Sequence, residues 1–170
     1  MFKSFTAVVL IICCGFMGLF KAQKYSRRVK DLSSMRDMLR ILDTEISYRK
    51  DPLFIIFNRV SSGRNDFAGS ILSRCCFYMK QRLDMTECWS RAVVDVCCTS
   101  SLTAQDKAVI CGIGEQIGRS DISGQNKVFL LAEEKLKHQI QDAVDEKNSK
   151  GKMYGGLGFT VGILITVLLI

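Results

Sequence analysis

From Ser4 to Phe20 the chain carries no charged side chain, and from Met153 to Ile170 it carries none either. Apart from Lys3, every charged group lies between Lys21 and Lys152. This distribution separates two apolar ends from a soluble middle large enough to bury a core. The runs SFTAVVLIICCGFMGLF and MYGGLGFTVGILITVLLI each approach the roughly 17 to 25 residues that a helix needs to cross a bilayer. The pattern predicts an N-terminal transmembrane anchor over residues 1–22, a helical cytoplasmic domain over 23–150 and a C-terminal transmembrane helix over 151–170.

Charge sets the expected topology. Lys21, Lys24, Arg27, Arg28 and Lys30 follow the first run, and Lys147, Lys150 and Lys152 precede the second. The positive-inside rule then puts the middle in the cytoplasm and both termini outside. Gly158 and Gly162 in the second run, with Gly15 and Gly18 in the first, are small residues suited to helix pairing. Basic residues after the first run, in KAQKYSRR, favour an uncleaved anchor over a signal peptide. Ile12 occupies the position where a lipid-attachment box needs a small residue. The net charge of +7 is concentrated beside the apolar run, which points to anionic membrane lipid. No aromatic residues interleave with the basic ones in a binding stripe, so nucleic acid is not an expected partner.

No catalytic, cofactor or metal site is expected. The eight cysteines contain no C-x-x-C pair, and the single histidine, His138, lies between Lys137 and Gln139 on a polar helix face. In a reducing compartment the cysteines are small buried hydrophobes. The competing reading is an outward-facing helical receptor or adaptor domain containing disulfides.

Apolar residues at Leu32, Met35, Leu39, Leu42 and Ile46 recur in steps of three and four, the seam of a helix over Val29 to Ile46. Asp51-Pro52 reads as an N-cap followed by proline at the first helical position of a short helix carrying Leu53, Ile56, Phe57 and Val60. SSGRND, Ser61 to Asp66, reads as a turn. A third helix runs from about Phe67 to Leu83, with Ile71, Leu72, Cys75, Phe77 and Met79 as candidate core. Asp84 or Thr86 caps a fourth, carrying Trp89, Ala92, Val93 and Val96. Thr103 and Asp106 have capping-box spacing and open a fifth that reaches Ile117. The sixth runs from about Ser123 to Lys147 on Val128, Leu131, Leu136, Ile140 and Ala143. The expected fold is all-α: an antiparallel bundle of about six helices between the two membrane helices.

The stretch GEQIGRSD, Gly114 to Asp121, resembles a phosphate loop because Gly112 precedes it. A dinucleotide loop needs G-x-G-x-x-G between strand and helix. Here the glycines are at 112, 114 and 118, and the preceding chain is helical. The physical reading is a helix stop at Gly118 and a restart capped by Ser120, Asp121 or Ser123.

LDTEISYRKDPL at Leu42 to Leu53, Trp89 with Ala92, LTAQDKAVICGIGEQIGRSDISGQNKVFLL at Leu102 to Leu131 and the closing KMYGGLGFTVGILITVLLI resemble the stage III sporulation protein AB family of endospore-forming bacteria. That family is similar to the F-type platform proteins of type II secretion and type IV pilus systems, which carry a Gly-Glu-x-x-Gly-x-Leu signature. Gly114, Glu115 and Gly118 match it; Ser120 stands in place of the leucine. The resemblance implies a scaffold in the channel assembly between mother cell and forespore, placed in the mother-cell membrane around the forespore. Its implied partners are a secretion-type ATPase, stage III sporulation protein AA, and other stage III channel proteins; it leaves room for a homo-oligomer.

The candidate partner-binding residues are Glu45, Tyr48 and Arg49 after the first helix seam, with Glu115, Arg119 and Asp121 around the GEQIGRSD turn. Each has an ordinary alternative. Glu45 can pair with Arg49 four residues on, and Asp121 can cap a helix.

Overall fold

The computed structural model describes residues 2–49, 51–117, 122–151, 153–154 and 160, with the side chains of 2–18, 49, 115 and 122–128 outside the description. Among the described residues there are six α-helices and no strand: α1 (Phe2–Arg49), α2 (Leu53–Ser62), α3 (Phe67–Met79), α4 (Met85–Cys97), α5 (Ala104–Ile117) and α6 (Ile122–Glu146). A π-helical turn, Lys147–Gly151, follows α6. The chain forms two compact units, one of residues 1–29 and 142–170, the other of residues 30–141.

One expectation changes at once. The first apolar run and the first bundle helix are a single 48-residue helix, α1. No glycine or proline occurs from Leu19 to Arg49, so nothing in the sequence stops the helix between them. Among the described residues no helix is long and apolar enough to cross a membrane. The two predicted spans fall largely on residues, or on side chains, outside the description.

In the unit of residues 30–141, α1 lays down the seam read from its spacing. Leu32, Met35, Leu39, Leu42 and Ile46 are all buried, and Met38 joins them. Packing then runs through consecutive helices, α2 on α3, α3 on α4 and α4 on α5. Trp89 is fully buried, with Phe57 beside it at 6.2 Å between ring centroids.

Local chemistry fixes the joints. Thr103 and Asp106 form the expected capping box: the Thr103 N–H donates to Asp106 Oδ2 at 2.9 Å and the Asp106 N–H to Thr103 Oγ1 at 3.2 Å. Asp84 caps α4, accepting from the Thr86 N–H. Asp66, not anticipated as a cap, accepts the Gly69 N–H at 2.9 Å and starts α3. The Arg64 guanidinium holds both oxygens of that carboxylate and donates on to the Ser34 carbonyl of α1. The Ala68 N–H in turn donates to Ser34 Oγ at 3.1 Å. Thus the α2–α3 turn is pinned to α1 by one arginine and one serine.

Three readings need correction. Pro52 is the N-cap of α2, not its first helical residue, and Asp51 makes no cap. The Asp51 carboxylate is taken by Arg59 instead, at 3.0 Å. The third helix ends at Met79 rather than Leu83, because the chain turns through Arg82 at φ 60°. That is a left-handed conformation in which a helix cannot continue. Finally, Phe77 and Leu131 are exposed and Met79 and Ile140 half-buried. Phe77 lies about 200° around α3 from Cys75, which places it off the seam of Ile71, Leu72 and Cys75.

Candidate functional site

The end of α1 and the start of α2 form a charged corner. Arg59 reaches back from the last turn of α2 and donates to Glu45 at 2.8 Å and to Asp51 at 3.0 Å. These hydrogen bonds, to Asp51 first and then to Glu45, raise the already high pKa of the guanidinium. Glu45 therefore meets Arg59, and the side chain of its alternative partner, Arg49, is outside the description. Tyr48, one turn on, is 85% exposed.

Of the other candidates, Glu115 lies on α5 with its side chain outside the description, and Arg119 and Asp121 are outside it altogether, as is the Gly118 stop. Part of the opening of GEQIGRSD is nevertheless explained. Gly114 sits within α5, where an added Cβ would lie 2.6 Å from Trp89 Cβ and closer still to the indole. Trp89 Nε1 donates to the Ile110 carbonyl at 2.9 Å. Gly114 is the seat of a tryptophan, a packing role that requires the absence of a side chain.

A second polar cluster lies between α1 and α6. Arg40 pairs with Glu133, and Asp43 stands beside them with its Oδ1 buried and without a hydrogen-bond partner. Burial, and then the neighbouring Glu133 charge, raise the Asp43 pKa. A shallow groove at the α2–α3 turn is lined by Ser61, Ser62, Arg64, Ser70, Arg74 and Phe77. The hydroxyls of Ser61, Ser62 and Ser70 donate to backbone carbonyls. The six described cysteines are all thiols, four of them buried.

In the unit of residues 1–29 and 142–170, the two ends of the chain meet in register. Arg28, only 6% exposed, donates to Glu146 at 2.6 Å. Tyr25 stacks on Tyr154 with centroids 6.4 Å apart, and the Lys21 ammonium lies 4.6 Å from the Tyr154 ring. As α1 is followed back from 28 to 21, its partners advance from 146 to 154, so the two segments run antiparallel. The hydrogen bond from Lys150, and then the charges of Lys150 and Arg28, lower the Glu146 pKa.

Residues 3–170 match the family described as Stage III sporulation protein AB. The chain belongs to that family. A relative of the same description from Bacillus subtilis (strain 168) is 26% identical over 170 residues, covering 99% of each chain. A solved structure titled Stage III sporulation protein AB shares the fold with a TM-score of 0.67 and 22% identity, covering 72% of this chain and 98% of that one. Family membership places the chain among the proteins of sporulation. It also bears out the resemblance to this family drawn from LDTEISYRKDPL, Trp89 with Ala92, Leu102 to Leu131 and the closing segment.

Proposed function

We propose that this sporulation protein is a membrane-anchored scaffold of the channel assembly between mother cell and forespore, and that its helical domain docks a secretion-type ATPase from the cytoplasmic side. The observation that carries the docking reading is the corner of Tyr48 with Glu45, Asp51 and Arg59. Its tyrosine is 85% exposed, and its charges are held in a fixed arrangement by one guanidinium. Aromatic anchors within charged rims are the usual source of interface energy and of salt-sensitive association. Arg49, Glu115, Arg119 and Asp121 are proposed as further partner-binding residues. The antiparallel meeting of residues 21–28 with 146–154 supports an anchor whose two apolar segments are entered at one level. It agrees with a cytoplasmic middle and external termini.

The test is capture of stage III sporulation protein AA by the full-length protein from detergent-solubilised membranes. Tyr48→Ala is expected to weaken capture by at least tenfold, as for an interface anchor. Undiminished capture by this variant would remove the corner from the interface.

A further inference from the structure

Lys21, Lys24, Tyr25 and Arg28 occupy positions i, i+3, i+4 and i+7 of α1, one face of the helix. Opposite them come Glu146, Lys150 and Tyr154. The carboxylate at this level is already engaged twice, by Arg28 at 2.6 Å and by Lys150 at 2.7 Å. Lys21 faces the Tyr154 ring, and none of the described carboxylates pairs with Lys21 or Lys24. Among the described residues the face thus carries two cations without a paired carboxylate, beside two stacked tyrosines that are each half-buried. The π-helical turn at Lys147–Gly151 sits just before Tyr154. Such turns reset the register of a helix and recur at functional sites.

We infer that this face binds the phosphate headgroup of an anionic phospholipid, with Lys21 and Lys24 meeting the phosphate and the Tyr25–Tyr154 stack lying along the acyl boundary. The inference rests on the membrane-anchored reading above. Its chemistry is that of the bilayer interface, where tyrosines take up the boundary between apolar and wet regions and lysines find anionic lipid. The occupant is a bilayer lipid rather than a free phosphate ester because the site joins the start of one apolar segment to the end of the other.

The experiment uses the full-length protein in neutral detergent, with native mass spectrometry reading the binding of phosphatidylglycerol against phosphatidylcholine of the same chains. The wild type should prefer phosphatidylglycerol. Lys21→Gln with Lys24→Gln should lose roughly 25-fold in that affinity, at about 1 kcal/mol per lysine. Tyr154→Leu should weaken it while Tyr154→Phe keeps it. Lys135→Gln with Lys137→Gln, on exposed α6 positions, should change nothing. An unchanged far-ultraviolet spectrum and Trp89 emission certify folding of each variant. Equal binding of the two lipids, a double lysine variant that binds as the wild type does, or displacement of the lipid by glycerol 3-phosphate at matched concentration would each overturn the inference. Carbonate extraction of the wild type from cell membranes separates the two levels. Release by carbonate would overturn the anchored reading and this site with it, whereas retention without headgroup preference would overturn the lipid site alone.

Discussion

The Trp89 indole occupies the place where a side chain on Gly114 would be, and its Nε1 donates to the Ile110 carbonyl of the same helix. The two residues lie on α4 and α5, and together they turn a glycine that looks like part of a ligand loop into a packing requirement. Gly112, two residues earlier, has nothing within 4 Å of an added Cβ. The two glycines therefore respond oppositely to the same substitution. Gly114→Ala should destabilise the protein by about 1–3 kcal/mol through overpacking. Gly112→Ala should stabilise it by about 0.5–1 kcal/mol through helix propensity. Urea unfolding followed by tryptophan emission reads both; equal effects would remove the packing account of Gly114.

Trp89→Ala should cost about 3–5 kcal/mol, as for other large buried aromatics. Trp89→Phe should cost less, since it keeps most of the apolar volume against Phe57 and gives up the bond to Ile110. Combined with Gly114→Ala, Trp89→Ala should relieve most of the cost of the added methyl, because the two indole atoms it strikes hardest are gone and only the Cβ of residue 89 remains close. Additive losses in the double variant would show that the methyl strikes something else.

Two aspartates should show opposite pH dependence. The bond from Arg64, opposed in part by burial and joined by the bond from Gly69, lowers the Asp66 pKa. Its contribution is therefore present above the unfolded carboxylate pKa and fades as pH falls below about 4. Asp66→Ala should cost about 1 kcal/mol at pH 7, as for a lost cap, with the gap to wild type narrowing in acid. The Asp43 pKa is raised by burial and then by Glu133, so its ionisation works against folding as pH rises. Asp43→Asn should stabilise the protein at pH 7 and leave it unchanged near pH 3. Denaturant melts at both pH values check the two signs together.

Much of this was legible in the sequence wherever the cause is local. The α1 seam and the Thr103–Asp106 box depend on residues within one or two turns, and both stand as read. Asp51 failed as a cap because Arg59, from the next helix, competes for its carboxylate. Phe77 suits the core by residue type, but its place on α3 turns it off the seam into solvent. Arg28 reads as one more juxtamembrane cation, yet it is buried against a glutamate 118 residues away. Nothing local to Gly114 announces a tryptophan 25 positions earlier. In the candidate corner, Glu45 and Tyr48 follow the seam in the sequence, and their meeting with a partner stands as a proposal. Arg59 was missed because its role appears only when α2 folds back on α1.

Thiol chemistry tests the proposed topology. Cys98 is exposed, whereas Cys75, Cys76, Cys88 and Cys97 are buried. Burial pushes the Cys75 thiol up to about 12 and the Cys97 thiol up to about 11, which keeps the reactive thiolate scarce at neutral pH. A membrane-impermeant maleimide should leave Cys98 unlabelled in intact cells and label it after permeabilisation. The buried four should need denaturant as well. Labelling of Cys98 in intact cells would place the helical domain outside.

The docking corner calls for a test that separates surface charge from folding. Reversing Glu45 alone would set two cations face to face, because its partner Arg59 lies 2.8 Å away. A lost partner interaction would then say nothing about contact. Exchanging the pair, Glu45→Arg with Arg59→Glu, restores an ion pair while inverting the charge at each position. Because Arg59 also holds Asp51 at 3.0 Å, Asp51→Asn is added to both the wild-type and the exchanged protein so that the glutamate at position 59 meets no second carboxylate. Exposed pairs of this kind contribute about 0–1 kcal/mol, so the exchanged protein should unfold within about 0.5 kcal/mol of wild type. Capture of the ATPase should nevertheless fall, and the deficit should shrink as salt rises, because charges at a rim are screened beyond about 8 Å at physiological ionic strength. The same exchange placed on Tyr48→Ala should add little if the three side chains form one contact. Wild-type capture and normal spore yield from the exchanged protein would show that the Glu45–Arg59 pair only ties α2 to α1.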